Sequence, residues 1–562
     1  PMLLANAGII NSTLGIETEK GSGLSSNVYY DTQFKNMAEV KAASLKVIEE
    51  TMAEGAVLLK NDNSALPLAK NDTVNMYGFA SHYTVHTGQG SSGSDGALGD
   101  RVSLYEGLKN AGLTMNEALN EWYKAQKDTD FVSSGNFIGA MGQETQFVVK
   151  EKGFSALPEA KNNKATAAVM VLARTSGEAE DLYMDTTMDD GNTRVIVSKG
   201  KAAANNHNNP AGSVGDALRL SANEADILKN LKTLKQNGTI DKIIVLMNSA
   251  SPFECDFLED SAYDIDACMW IGLVGTNGAN AVGKLLTGEY NPSGKTSDTF
   301  WEESKYNPVY YNFGSMQYGN VSALSDSYFA TMGYQNHQYY VAYQEGIYNG
   351  YKYTETRYED YVLGRANTGN FNYSDVVTYP FGYGLSYSTF EYSNMKVAEN
   401  TKNNTYTVTV DVTNTSKIDG KEAVQVYVQK PYTAKDIVSG VEKASVELVG
   451  FTKVEVKAGQ TVTASIEVEE KYFAAYDANK EKTYVIGTDG DEKYLLTAAR
   501  DAHAAVNNFI DYKKNNGATV DSTKLFAING DNGDGSLVWG KHIAYNNKKY
   551  STNAFIEEEN KN

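Results

Sequence analysis

Residues 37 to about 390 alternate between helical and strand periods of apolar residues. Positions 37–59 carry Ala, Val, Leu and Ile on one stripe at a 3.6-residue period, which predicts an amphipathic helix. Positions 74–80 predict a short strand, and 102–110 a helix stopped at Gly112. The run ATAAVMVLA, Ala165–Ala173, is apolar and β-prone throughout, which predicts a short, fully buried strand. Ser221 and Glu224 stand three apart as in a capping box, and Leu228, Leu231 and Leu234 follow on one helical face. Strands at 242–247 and 265–271 come next, then a helix at 279–286 ended by Gly288. Alternation of this kind predicts βαβ units, hence an α/β/α sandwich with a mainly parallel sheet over 37–390.

After 390 the period changes to two. Tyr406, Val408, Val410 and Val412 alternate with Thr407, Thr409 and Asp411, and Val424, Val426 and Val428 alternate with Gln425, Tyr427 and Gln429. Apolar runs at 446–454 and 462–468 and turns at Asp419-Gly420 and Ala458-Gly459 complete the pattern of a β-sandwich over 391–500. Its register puts the valines inward and Gln425 and Gln429 outward. The segment 501–562 is rich in Asn, Lys, Gly and Asp; it predicts one helix at 504–512 and otherwise a linker. Residues 1–36 form an N-terminal extension that opens PMLLANAGII. Two readings of it stand: the tail of a signal peptide or membrane segment, which favours an extracellular or envelope location, or an ordinary first strand.

Charge narrows the partners. The net charge of −20 argues against nucleic acid and anionic membranes. Tyr outnumbers Phe, 38 to 19, and a Tyr ring with its polar tip suits both strands and sugar rings. The two cysteines, Cys255 and Cys268, form no disulfide framework or zinc motif, and Cys268 lies in an apolar run as a small core residue. No run of eighteen apolar residues occurs.

Candidate chemistry concentrates in the loop RTSGEAED, residues 174–181, which follows the predicted strand Ala165–Ala173. Open α/β sheets bind ligands beyond the carboxyl ends of their strands, so Glu178, Glu180 and Asp181 stand where chemistry is usual. A solvated acidic loop is the alternative. Other motifs fail. The Gly294-Lys295-Thr296 end of a phosphate loop lacks its earlier glycine, because Glu289 stands there. The glycines at 88–96 lack dinucleotide spacing. His82 and His86 have Tyr83 where a zinc motif needs Glu, and DNGDG at 531–535 misses the calcium-loop spacing.

Several segments together resemble glycoside hydrolase family 3, the β-glucosidases and their relatives. EGAVLLKN at 54–61 with LPL at 66–68 resembles that family's entry to its α/β sandwich. GQGS at 88–91 resembles its G-x-G-S loop, SGE at 176–178 its S-G-E loop, and NPSGK at 291–295 its N-P-S-G-[KR] turn. YQEGIYNGY at 343–351, PFGYGLSY at 380–387 and GKEAVQVYV at 420–428 resemble later signatures, the last opening a fibronectin type III-like domain. The resemblance covers about 37–500 and implies a retaining β-glycosidase acting on β-linked oligosaccharides or glycosides, with no cofactor and no metal.

In that family the nucleophile is an Asp in a separate (β/α)₈ barrel of about 250 residues. Some members are permuted, with the barrel last, and the tail here resembles the connector before it. The resemblance therefore implies the front part of a longer permuted enzyme, with a barrel C-terminal to it. It carries the acid/base role onto Glu178, with Glu180 and Asp181 as runners-up, and suggests Ser91 as a hydrogen-bond partner of a sugar hydroxyl or as a turn former. Lys60 and Glu345 read as structural, and Gly382 and Gly384 as turn formers. A β-xylosidase and a non-catalytic carbohydrate-binding or adhesion module are the alternatives.

Overall fold

The computed structural model describes residues 33–88, 101–126, 151–174, 218–310, 312, 342–365, 368–545 and 548–551, and the backbone of strands Val132–Gly135, Gln146–Val149, Met316–Gln317 and Tyr339–Tyr340. The chain divides into two compact units, Pro1–Val47 and Ile48–Asn562. Of the first, residues 33–47 are described, and they include the start of helix α1 (Met37–Gly55). Among the described residues no helix is long and apolar enough to cross a membrane.

Helix α1 ends at Gly55 and not at 59; the next residues form strand β1 (Val57–Asn61). In the strand, Val57 and Leu59 enter one core and Leu58 the other, each at most 1% exposed. Burying such a side chain is worth about 1.5–3 kcal/mol, against a few tenths per residue for helix propensity. Burial on both faces therefore decides the conformation. Strands β2 (Thr73–Tyr77), β3 (Thr114–Met115), β4 (Ala165–Ala173), β5 (Ile240–Asn248) and β6 (Ala267–Trp270) complete a sheet in the order β1-β6-β5-β4-β2-β3. All neighbours are parallel except β1, which runs antiparallel to β6.

Helices cover both faces, as the alternation predicts. Leu104 and Leu108 of α2 (Leu104–Asn110) pack on one face with Val169, Val171, Ile244 and Leu246; α5 (Ala279–Leu286) adds Val282 and Leu285. On the other, α3 (Glu117–Lys124) and α4 (Ala222–Gln236) set Leu119, Tyr123, Ile227 and Leu231 against Met170, Leu172, Ile243 and Val245. Both bonds of the Ser221–Glu224 capping box are present. Ser103 and Glu106 make a second box at α2, so that helix starts at 104 and not 102.

Helix α6 (Tyr351–Val362) precedes the sandwich. Strands β7 (Phe390–Asn400), β8 (Thr405–Asn414), β9 (Gly420–Gln429), β10 (Glu447–Val456), β11 (Thr461–Glu469), β12 (Lys493–Ala499) and β13 (Val538–His542) form two antiparallel sheets, β7-β8-β11 and β10-β9-β12-β13. The valines of β8 and β9 face each other in the core. Gln425 and Gln429 are buried too, each 5% exposed, contrary to the outward placement read from the alternation. The outer face of β9 is covered by α6 and by α7 (Ala502–Asn515), whose apolar residues cluster with Tyr427. The Gln429 amide there donates to Glu359 and to the Ser445 carbonyl, at 3.0 and 2.7 Å.

The change of architecture near 390 is no break in packing. Asn291, of the NPSGK turn, donates to Ser388 and to the Asp419 carbonyl and accepts from the Ser386 hydroxyl and the Tyr387 amide, all within 2.9 Å. A Cβ on Gly384 would lie 2.2 Å from the Gly294 carbonyl oxygen, so only glycine lets the two turns touch. The Leu385 amide donates to Leu58 of β1. PFGYGLSY and NPSGK are thus the joint between sheet and sandwich.

The segment after 501 does not run as a linker. Residues 502–510 of α7 are all buried. His503 and Asn507 hydrogen-bond the Phe526 carbonyl, and Asn508 accepts from the Asp534 amide, so the helix fastens the following loop to itself. His503 Nδ1 also donates to Glu355 at 2.9 Å, between side chains at most 1% exposed. Burial opposes its charge, but the Glu355 carboxylate and the Phe526 carbonyl outweigh it and raise the imidazole pKa. A histidine with a raised folded pKa stabilises in full below its unfolded value, about 6.5, and loses that gain as pH rises through the folded value. The urea midpoint of wild type minus that of His503→Gln should therefore fall between pH 6 and pH 9. A difference that stays flat across that range would refute the charged pair.

Candidate functional site

Chain order and sheet order together locate a switch point. From β2 the chain moves outward to β3, then returns past β2 to β4 and continues the other way to β5 and β6. Helix α2, after β2, lies on one face; α4, after β4, lies on the other. Chains leaving the carboxyl ends of β2 and β4 therefore diverge, and such a switch point is where open α/β sheets hold their ligands. The chain leaving β2 leads toward GQGS at 88–91, and the chain leaving β4 leads directly into SGE at 176–178. The roots of the two motifs thus flank one switch point. Ser91, Glu178, Glu180 and Asp181 themselves lie outside the described residues.

The root after β2 is held tightly. Gly78 has φ +91°, and a Cβ there would meet the Val171 carbonyl oxygen of β4 at 2.4 Å. Its amide donates to the Tyr123 hydroxyl at 3.0 Å, and the next amide, of Phe79, donates to Glu151 Oε1 at 2.6 Å. Further on, the Val85 amide and carbonyl both bond the side chain of Asn248, the last residue of β5, which also donates to the Gly272 carbonyl. His86 Nδ1 donates to the Gly275 carbonyl, and burial pushes its pKa down to about 4. His82 Nδ1 pairs with Asn120. Among the described residues no cluster of His, Cys, Asp or Glu could hold a metal. Cys255 and Cys268 are free, buried thiols, and burial raises the pKa of both.

The root after β4 is an ion pair. Arg174, read from sequence as the first loop residue, has a fully buried side chain. Its Nη1 and Nη2 donate to Glu224 Oε1 and Oε2 at 2.8 and 2.9 Å, a bidentate pair, and its guanidinium lies 4.8 Å over the Phe253 ring. Nη2 also donates to the Arg219 carbonyl at 2.6 Å. Glu224 serves the capping box of α4 with the same carboxylate, so the loop root and the helix start are one unit.

Glu151 completes the cluster. It is fully buried, and burial, helped by the nearby Glu224 carboxylate, pushes its pKa up to about 8, while the Phe79 amide and Arg174 pull the other way. Its Oε2 has no hydrogen-bond partner among the described residues. No motif marks it in the stretch KEKG. For Arg174 a signal existed: a basic residue closing an apolar strand, with the glutamate of a capping box later in the chain. Lys60 is structural, with Nζ on the Leu258 carbonyl, Asp62 and Glu259. Glu345 accepts from Asn312 at 2.7 Å.

Residues 56–351 match the family model of the glycosyl hydrolase family 3 C-terminal domain, and 422–489 that of the fibronectin type III-like domain. Thermostable beta-glucosidase B of Acetivibrio thermocellus is 27% identical over 440 residues, covering 78% of this chain and 44% of that protein. Beta-glucosidase A of Butyrivibrio fibrisolvens is 29% identical over 460 residues, covering 77% and 47%. A beta-glucosidase structure from Paenibacillus barengoltzii superposes with a TM-score of 0.58 at 25% identity, covering 81% of this chain and 41% of that one. The chain spans less than half the length of each.

Proposed function

Because the chain belongs to glycosyl hydrolase family 3, we propose that it is the acid/base half of a retaining β-glycosidase, with β-glucosides as substrates. The observation that carries this reading is the switch point, from whose two sides the chain enters the GQGS and SGE motifs. A retaining enzyme needs two carboxyl groups about 5–5.5 Å apart. Glu178 is the proton donor in this reading, and Ser91 holds a sugar hydroxyl. Glu180 and Asp181 are the next carboxylates to test. The nucleophile comes from a barrel domain, as the relatives' greater length permits.

The test is turnover of 4-nitrophenyl β-glucoside by the purified 562-residue chain, alone and with a family barrel joined to it or added. The chain alone should show no turnover above buffer, and barrel addition should produce it. Robust turnover by the chain alone would overturn the division of labour. A 4-nitrophenyl β-xyloside hydrolysed faster than the glucoside would move the substrate to xylose. Cellobiose binding with no turnover under any condition would instead support a carbohydrate-binding module.

A further inference from the structure

Glu151 reaches both sides of the switch point. Its carboxyl accepts from the Phe79 amide, in the turn that leaves β2. Its backbone carbonyl accepts from the Asn223 side chain at 2.8 Å, in the first turn of α4, and three residues on the Phe154 amide donates to Asp226 of the same helix at 2.7 Å. The short segment 151–154 therefore straps the β2 turn to the helix whose Glu224 holds Arg174 at the end of β4.

The choice of residue is informative. The Phe79 amide needs an acceptor, and any carbonyl oxygen would serve. A fully buried carboxyl is a costly way to supply it, because its second oxygen gives up its solvation with no partner among the described residues. Among the described residues the charged groups facing it are Arg174, just after β4, and Glu224 from α4, with the phenol of Tyr123 from α3 alongside. At neutral pH the carboxyl keeps its proton, so it adds no second anion beside Glu224 and does not compete for Arg174. Neutrality and reach together let it brace both roots without disturbing the ion pair.

We propose that Glu151 is a positioning residue of the sugar site, setting the spacing between the root of the loop after β2 and the root of the loop after β4. This rests on the reading of Glu178 as acid/base. A misplacement of about 1 Å in a catalytic group costs on the order of 10²-fold. Loss of the brace should therefore slow the steps that need the acid/base far more than those that do not.

The experiment compares Glu151→Leu, Glu151→Asp and Glu151→Gln with wild type in the barrel-containing enzyme, on an alkyl β-glucoside and a dinitrophenyl β-glucoside. Leu removes the acceptor, and Asp shortens the reach by one methylene. Both should cut kcat for the alkyl substrate by about 10- to 100-fold, with KM nearly unchanged and initial cleavage of the dinitrophenyl substrate within about threefold. Gln keeps the acceptor and is uncharged, so it should stay within about threefold on both substrates. If Leu does not fold, Asp decides. Equal slowing of both substrates, or a Gln variant as impaired as Asp, would overturn the inference. Glu178→Ala is assayed beside them. If it shows no split between leaving groups, the acid/base reading fails; if it does and the Glu151 variants do not, only the positioning role fails.

Discussion

Glu178→Ala in the barrel-containing enzyme should slow alkyl β-glucosides by about 10²–10⁴-fold, the usual worth of general acid/base help, while leaving formation of the glycosyl-enzyme from a dinitrophenyl β-glucoside nearly intact. An alkoxide must be protonated as it departs, whereas a dinitrophenolate leaves as an anion. Deglycosylation then becomes slow, because no base activates water. Azide should restore it, since a small anion attacks without base help, and the product should be the β-glycosyl azide. The β configuration reports two inversions, as retention requires. If good and poor leaving groups slow equally, or azide has no effect, the acid/base is another group, and Glu180 and Asp181 are next.

Arg174→Met should be the most damaging single substitution for folding near the site. It leaves the Glu224 carboxylate, 1% exposed, without its cation and the Arg219 carbonyl without its donor. Breaking a buried ion pair from one side costs about 3–5 kcal/mol, a large share of the roughly 5–15 kcal/mol of a typical domain. Glu224→Leu should cost a similar amount from the other side. The double variant should recover much of the loss, because two apolar side chains of similar volume bury no charge. Urea midpoints of the four proteins form a double-mutant cycle. Additive losses would mean that the pair does not act as a unit.

Much of the fold was legible because its signals are local. The strand Ala165–Ala173 stands where its apolar, β-prone run predicts, with seven of its nine residues buried. The Ser221–Glu224 box was equally plain. Errors arose where distant chain changes what a polar residue faces. Gln425 and Gln429 alternate with valines as solvent-facing residues do, and chain far away in sequence buries them: the Gly382 turn and Arg500 take the Gln425 amide, and Glu359 of α6 takes that of Gln429. The stretch after the helix at 504–512 read as a linker, yet His503, Asn507 and Asn508 bond its backbone. The site follows the same division. Its motifs were visible as letters, whereas the brace that Glu151 provides depends on an amide seventy-two residues upstream and a helix as far downstream.

The hydrogen bond from Arg174 to the Arg219 carbonyl joins the two ends of the segment 175–217. Residues 174 and 219 are thereby held at one point. The entropy of closing a chain between two fixed ends grows only with the logarithm of its length, by about 0.6 kcal/mol per doubling. Insertions and deletions there cost far less than a single broken ion pair at its base. The end of β4 and the start of α4 therefore stay joined at Arg174 whatever length of chain separates them.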